Sequence, residues 1–222
     1  ATRDLDLLGL GDPNEDAMLA IFRDILGQHA EDGTVFDQDT LRVDRIREET
    51  AYGGLRLRTI ASAGGARIAL TVDIGFGDAL DPGTEVVNYP VMLDLPAPRL
   101  RVYARETVIA EKFQAMVALG RANSRMKDFY DVWILSRSFH FGDNRLAQAI
   151  TATFARRGTP IPTELPDAFK PAFAADEQKQ RQWRTFVEDV AIDPGPLAQV
   201  LDELAEFLMP HAHLAKQTAQ EW

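Results

Sequence analysis

Apolar and polar residues recur along this chain with two different periods, and the change from one to the other divides it. Residues 3–8, Arg-Asp-Leu-Asp-Leu-Leu, read as a short strand. Asp12-Pro13-Asn14-Glu15 then signals a helix start, a cap followed by acid in the first turn. Met18, Ile21, Phe22, Ile25 and Leu26 follow at three- and four-residue spacing and give that helix one buried face to about residue 30. Three extended segments are predicted over 41–48, 55–62 and 66–74, with Gly64-Gly65 as a hairpin turn. Within the second, Arg56, Arg58 and Ile60 alternate with Leu55, Leu57 and Thr59, so one sheet face is polar. The stretch 93–98, with Pro96 and Pro98, marks the passage to helical spacing. Helices are predicted over 105–119 (closed by Gly120), 124–136, 143–155, 177–190 and 196–208, with a Pro-rich loop over 158–171. The expected fold is α+β: a small mixed or antiparallel sheet with one helix in residues 1–97, then an all-helical region in 98–222.

Composition narrows the class. The 222 residues are 45% hydrophobic and 26% charged, ordinary for a globular chain with a real core. No cysteine is present, which excludes disulfides and thiolate metal sites and fits a reducing cytoplasm. No apolar run reaches the ~18–20 residues that span a bilayer, so a cytoplasmic protein without membrane partners is expected.

The net charge of −10 argues against general affinity for nucleic acid, but charge is unevenly spread. Between residues 99 and 127 stand seven basic side chains (Arg99, Arg101, Arg105, Lys112, Arg121, Arg125, Lys127) against two acidic ones (Glu106, Glu111), a local balance of +5. Such a stretch suits a polyanion, a triphosphate or an RNA backbone, and equally a solvated helix surface.

Three carboxylates point to metal chemistry. Asp4 and Asp6, two apart in an extended segment, share a face. If the apolar run ending at Asp73 is a neighbouring strand, Asp73 reaches the same point, giving hard oxygen ligands for Mg²⁺ or Mn²⁺ that also carries nucleotide phosphates. Asp78 is a reserve ligand, and Gly75-x-Gly77 reads as a chain reversal rather than a dinucleotide fingerprint. On the helix over 105–119, Lys112 shares a face with Val108, Ala115, Met116 and Leu119, so its ammonium needs an anion, a carboxylate or a phosphate. Glu111 lies about 100° round the helix from Lys112 and reads as structural or partner-facing. On the next helix Lys127, Asp128 and Asp131 cluster at three- and four-residue spacing. His211 and His213 do not make a metal site, and Ser136 and Ser138 have no nearby base.

Taken together, Arg3-Asp-Leu-Asp-Leu-Leu8, Val72-Asp-Ile-Gly-Phe-Gly-Asp78 and the block YARETVIAEKFQAMVALGRANSRMKDFYDVWIL over 103–135 resemble the AbiEii/AbiGii toxin family, a nucleotidyltransferase-like group. The resemblance covers roughly residues 1–136. It implies a nucleotidyltransferase-like core with a site contributed by both regions. Asp4, Asp6, Lys112 and Asp128 would be catalytic. Asp4, Asp6 and Asp73 would hold metal, and Lys112, Arg125 and Lys127 would contact nucleotide. The reaction implied is Mg²⁺-dependent transfer of a nucleotide from a nucleoside triphosphate to an RNA, such as a tRNA 3′ end, or to a protein, in a toxin–antitoxin or phage-abortive-infection system with a cognate antitoxin. A catalytically impaired nucleotide- or antitoxin-binding module and an Mg²⁺-dependent phosphohydrolase are the alternatives. Family members carry a Gly-Gly-Thr or Gly-Ser segment ahead of the Asp-x-Asp strand, whereas Ala1 and Thr2 already stand in that strand here. The resemblance therefore implies either an N-terminally incomplete chain or a degenerate relative, with weak nucleotide binding and little transfer in the chain as it stands.

Overall fold

The computed structural model describes residues 5–29, 32–46, 54–91 and 94–220. The chain divides into two compact units, 1–78 and 79–222. In the first, strand β1 (Leu5–Gly9) is followed by helix α1 (Glu15–Leu26) and strands β2 (Thr34–Ile46), β3 (Gly54–Ala63) and β4 (Ala66–Phe76). The sheet order is β1-β4-β3-β2, with β1 parallel to β4 and the other pairs antiparallel. A mixed sheet with one helix is what the sequence predicts.

Local chemistry accounts for these elements. Asn14 caps α1 by accepting the Ala17 N–H at 2.8 Å, leaving one fewer orphan donor at the helix start. Gly64 and Gly65 both have positive φ, 55° and 84°, the conformation that joins β3 to β4 in a two-residue turn. That turn sets the register, pairing Ala63 with Ala66 and, further along, Leu55 with Ile74. Leu55, Ile74 and Phe76 form the core on one sheet face, packed by Met18 and Phe22 of α1 and by Val43 and Val72. Gly9 pairs with Phe76, and a Cβ at Gly9 would overlap the Phe76 ring, so only glycine lets β1 close against β4 there.

The second unit begins with an antiparallel pair, β5 (Thr84–Asn88) and β6 (Arg99–Tyr103), and continues with helices α2 (Arg105–Leu119), α3 (Met126–Ser138), α4 (Asp143–Arg156), the short α5 (Pro171–Ala174), α6 (Glu177–Val187) and α7 (Leu197–Gln220). Its core joins Ile109, Phe113 and Met116 of α2 to Phe129 of α3, Phe154 of α4 and Leu201 of α7. Phe113 is fully buried, 5.4 Å from Phe154 and stacked on Phe169 at 6.1 Å.

Several boundaries differ from the sequence expectation. β2 starts at Thr34 rather than 41, because a register irregularity between Asp37 and Arg42 disrupts the alternation that marks a strand. The pair β5–β6 stands where no strand is predicted and makes the region after 98 not wholly helical. Each strand has only five residues, and the prolines between them mask the pairing. The predicted loop over 158–171 contains a 3₁₀ turn, Asp167–Phe169, with α5 starting at its end. α7 does not stop at 208 but runs through Pro210, since buried Leu201, Leu204, Leu208, Ala212 and Ala215 carry one apolar stripe across it. Such a stripe offsets the ~3 kcal/mol an interior proline costs. Lys112 lies at the margin of the buried face of α2: of its predicted neighbours Ala115 and Met116 are buried, Val108 is half-buried and Leu119 is exposed.

Candidate functional site

Two chemical clusters stand out, one in each unit. In the first, Asp6 pairs in register with Asp73 across β1 and β4, Asp73 with Arg56 across β4 and β3, and Arg56 with Asp44 across β3 and β2. Directly paired residues project from the same sheet face, so the four side chains make one row. The apolar core occupies the other face, where Leu55 and Leu57 are fully buried.

Arg56 makes a fork with Asp73. Its Nε donates to Asp73 Oδ1 at 2.7 Å and its Nη2 to Asp73 Oδ2 at 2.6 Å, a two-pronged pair. Asp44 is instead taken by Arg58, whose Nη1 lies 2.9 Å from Asp44 Oδ2. Asp73 retains 19% side-chain exposure and Arg56 37%, against 56% and 55% for Asp44 and Arg58, so the first pair is the better shielded.

The carboxylate oxygens of Asp6 and Asp73, side by side on one face, suit a hard divalent cation in donor type. Asp4, the third ligand the sequence points to, lies outside the described residues. Among the described residues no group of three or more His, Cys, Asp or Glu side chains gathers at a single point. Asp78 follows Gly77, whose φ of 79° turns the chain away beyond the end of β4, in keeping with the chain-reversal reading of that glycine pair.

The second cluster joins α2 to α3. Burial of Ile109, Phe113 and Met116 fixes α2 and holds Lys112 toward the start of α3. Lys112 Nζ donates to Asp128 Oδ1 at 2.7 Å and lies 2.9 Å from Asp131 Oδ2. Lys127 Nζ meets the same Asp131 oxygen at 2.6 Å. Burial works to lower the Lys112 pKa, but the charges and hydrogen bonds of Asp128 and Asp131 outweigh it and hold the ammonium above its ordinary value. Lys112, Asp128, Asp131 and Lys127 thus come together, with Asp131 as fully engaged as Asp128.

Arg125 stands at the N-cap of α3, where its backbone N–H donates to Asn123 Oδ1 at 2.8 Å. Its side chain lines an open groove of about 770 Å³ between α3 and α6, together with Lys127, Asp128, Arg181, Gln182 and Phe186. Three cations and one carboxylate line the groove, with Lys127 paired to Asp131 and Arg181 to Glu177. Glu111 faces Arg157 at 3.9 Å, in line with a structural role. Ser136 Oγ donates to the Trp133 carbonyl within its own helix at 2.9 Å. His211 and His213 belong to α7, where His211 is buried against Phe207 and His213 meets the Thr163 carbonyl at 3.0 Å.

Sequence reasoning passed over Arg56, Asp44, Arg181 and Gln182. For Arg56 a signal existed: counting back from the Gly64-Gly65 turn places it opposite Asp73. For Arg181 and Gln182 none did, since the groove depends on how α6 packs against α3.

Residues 1–207 match the family model described as nucleotidyl transferase AbiEii toxin, type IV TA system. No curated protein matches the chain. Among solved structures, a candidate nucleotidyltransferase from H. pylori is 16% identical at a TM-score of 0.48, over 99% of this chain and 80% of that one. The JHP933 protein from Helicobacter pylori is 16% identical at a TM-score of 0.46, over 100% of this chain and 78% of that one.

Proposed function

The chain belongs to the AbiEii nucleotidyl transferase toxin family of type IV toxin–antitoxin systems, and from that premise we propose that it transfers a nucleotide from a nucleoside triphosphate to a hydroxyl of an RNA or protein acceptor. The acceptor oxygen attacks the α-phosphorus, its proton passes to solvent or a nearby base, and pyrophosphate leaves. A cognate antitoxin is the proposed protein partner. Among the described residues no helix is long and apolar enough to cross a membrane, and the proposed place of action is the cytoplasm.

The observation that carries this reading is Lys112, an ammonium kept charged by two part-buried carboxylates. Its role is to meet phosphate charge, for which a cation fixed in advance costs no reorganisation during reaction. Arg125 and Lys127 add positive charge beside it. Asp128 accepts a hydrogen bond from the Lys112 ammonium at 2.7 Å and is assigned to orienting Lys112 and the acceptor. Asp6 and Asp73, with Asp4, would hold Mg²⁺ or Mn²⁺, which when bound supplies Lewis-acid neutralisation of the triphosphate.

Paired incubations of the full-length protein with α-labelled and γ-labelled triphosphates, Mg²⁺ and total RNA test the reading. Transfer puts the α label, and not the γ label, into RNA or protein. Release of γ-labelled phosphate with no labelled macromolecule identifies a phosphohydrolase instead, and saturable nucleotide binding without turnover identifies a binding module.

A further inference from the structure

We propose that Arg56 is a placeholder for the cation at Asp73: it neutralises that carboxylate in the cation-free protein, and a divalent ion competes with it to bind. The inference rests on the cation site assigned above and concerns a residue outside the sequence-derived site.

Three observations carry it. First, Asp6 and Asp73 are register partners on one sheet face, and like charges placed opposite each other are unfavourable unless something offsets them. Second, Arg56 is flanked in register by Asp73 and Asp44 and directs a two-pronged pair to Asp73, Nε at 2.7 Å and Nη2 at 2.6 Å. Arg58, two residues along the same strand and on the same face, takes Asp44. The two arginines are thus divided between the two acids, and the better-shielded pair falls on the proposed metal ligand. Third, the side-on fork occupies a lone pair on each oxygen of Asp73. A cation bound there would compete for those lone pairs and would sit beside a fixed positive charge. Each oxygen keeps a second lone pair, so guanidinium and cation compete at Asp73 through charge and through the forked lone pairs, and the resting protein holds a bare cation weakly.

Mn²⁺ titration without nucleotide, read from the free-ion electron paramagnetic resonance signal, tests this in wild type, Arg56→Gln, Arg56→Lys and Asp73→Asn, with melting curves as the fold check. Arg56→Gln is expected to bind Mn²⁺ about tenfold more tightly or better, the size set by a charge-assisted pair that no longer competes for the carboxylate. Arg56→Lys, whose ammonium cannot fork, falls between, and it carries the same test if Arg56→Gln does not fold. Asp73→Asn is expected to lose Mn²⁺. Equal or weaker Mn²⁺ binding by folded Arg56 variants, with Asp73→Asn still losing the ion, overturns the placeholder role and leaves the cation site standing. Undiminished Mn²⁺ binding by Asp73→Asn overturns both.

Discussion

Lys112 and Asp128 meet at 2.7 Å across two helices, and the same ammonium lies 2.9 Å from Asp131. All three side chains are largely shielded, with exposures of 20%, 14% and 21%. The lysine is therefore both an electrostatic keystone between α2 and α3 and the cation assigned to phosphate, so its removal has two separable effects.

Lys112→Ala is expected to abolish nucleotide transfer and also to lower stability by about 1–3 kcal/mol, since two shielded carboxylates lose their shared partner. Lys112→Arg should recover most of the stability while activity stays low, because a planar fork does not reproduce a point charge at that position. Urea unfolding beside a transfer assay separates the two. Full activity in Lys112→Ala would show the pair to be purely structural.

The raised Lys112 pKa fixes a pH dependence. Its contribution to stability is complete below the ordinary lysine value of about 10.4 and fades only as pH rises through the still higher folded value. Alkaline unfolding above about pH 10 should be steeper in wild type than in Lys112→Met, with no difference in slope between pH 7 and 9.

His211 has the opposite sign. Burial lowers its pKa, and Asp143, whose Oδ1 is 3.8 Å away, only partly offsets this. The neutral imidazole is favoured by folding, so its contribution is present above about pH 6.5 and is lost as pH falls through the folded value. Wild type should lose stability between pH 6.5 and 5 more steeply than His211→Gln in chemical denaturation. Parallel curves would mean that His211 titrates alike in both states.

Mg²⁺ with a triphosphate should raise the melting temperature of wild type, and Asp6→Asn should remove most of that shift. The same shift in both proteins would place the cation elsewhere.

Much of this was readable in the sequence, for identifiable reasons. The Gly64-Gly65 turn and the alternation of Leu55, Leu57 and Thr59 with Arg56, Arg58 and Ile60 follow from local chemistry, and β3 obeys them. The apolar run ending at Asp73 does become a strand paired beside Asp6. Lys112 needed an anion because of its apolar neighbours, and α3 supplies Asp128 and Asp131. What escaped depends on interactions the local pattern does not encode. β5 and β6 find each other across ten residues that include three prolines. Pro210 is overridden by the buried stripe of α7. Arg56 pairs with Asp73 and Arg58 with Asp44, a division that the register alone does not dictate.

The most direct measurement is a time course of α-labelled nucleotide incorporation into RNA and protein by the full-length enzyme, with pyrophosphate quantified in the same tubes. It would be run on wild type, Asp6→Asn and Lys112→Met with each of the four triphosphates. The account predicts incorporation and pyrophosphate in equal amounts for wild type and neither for the two variants. Incorporation undiminished in either variant, or phosphate released without incorporation in wild type, would contradict it.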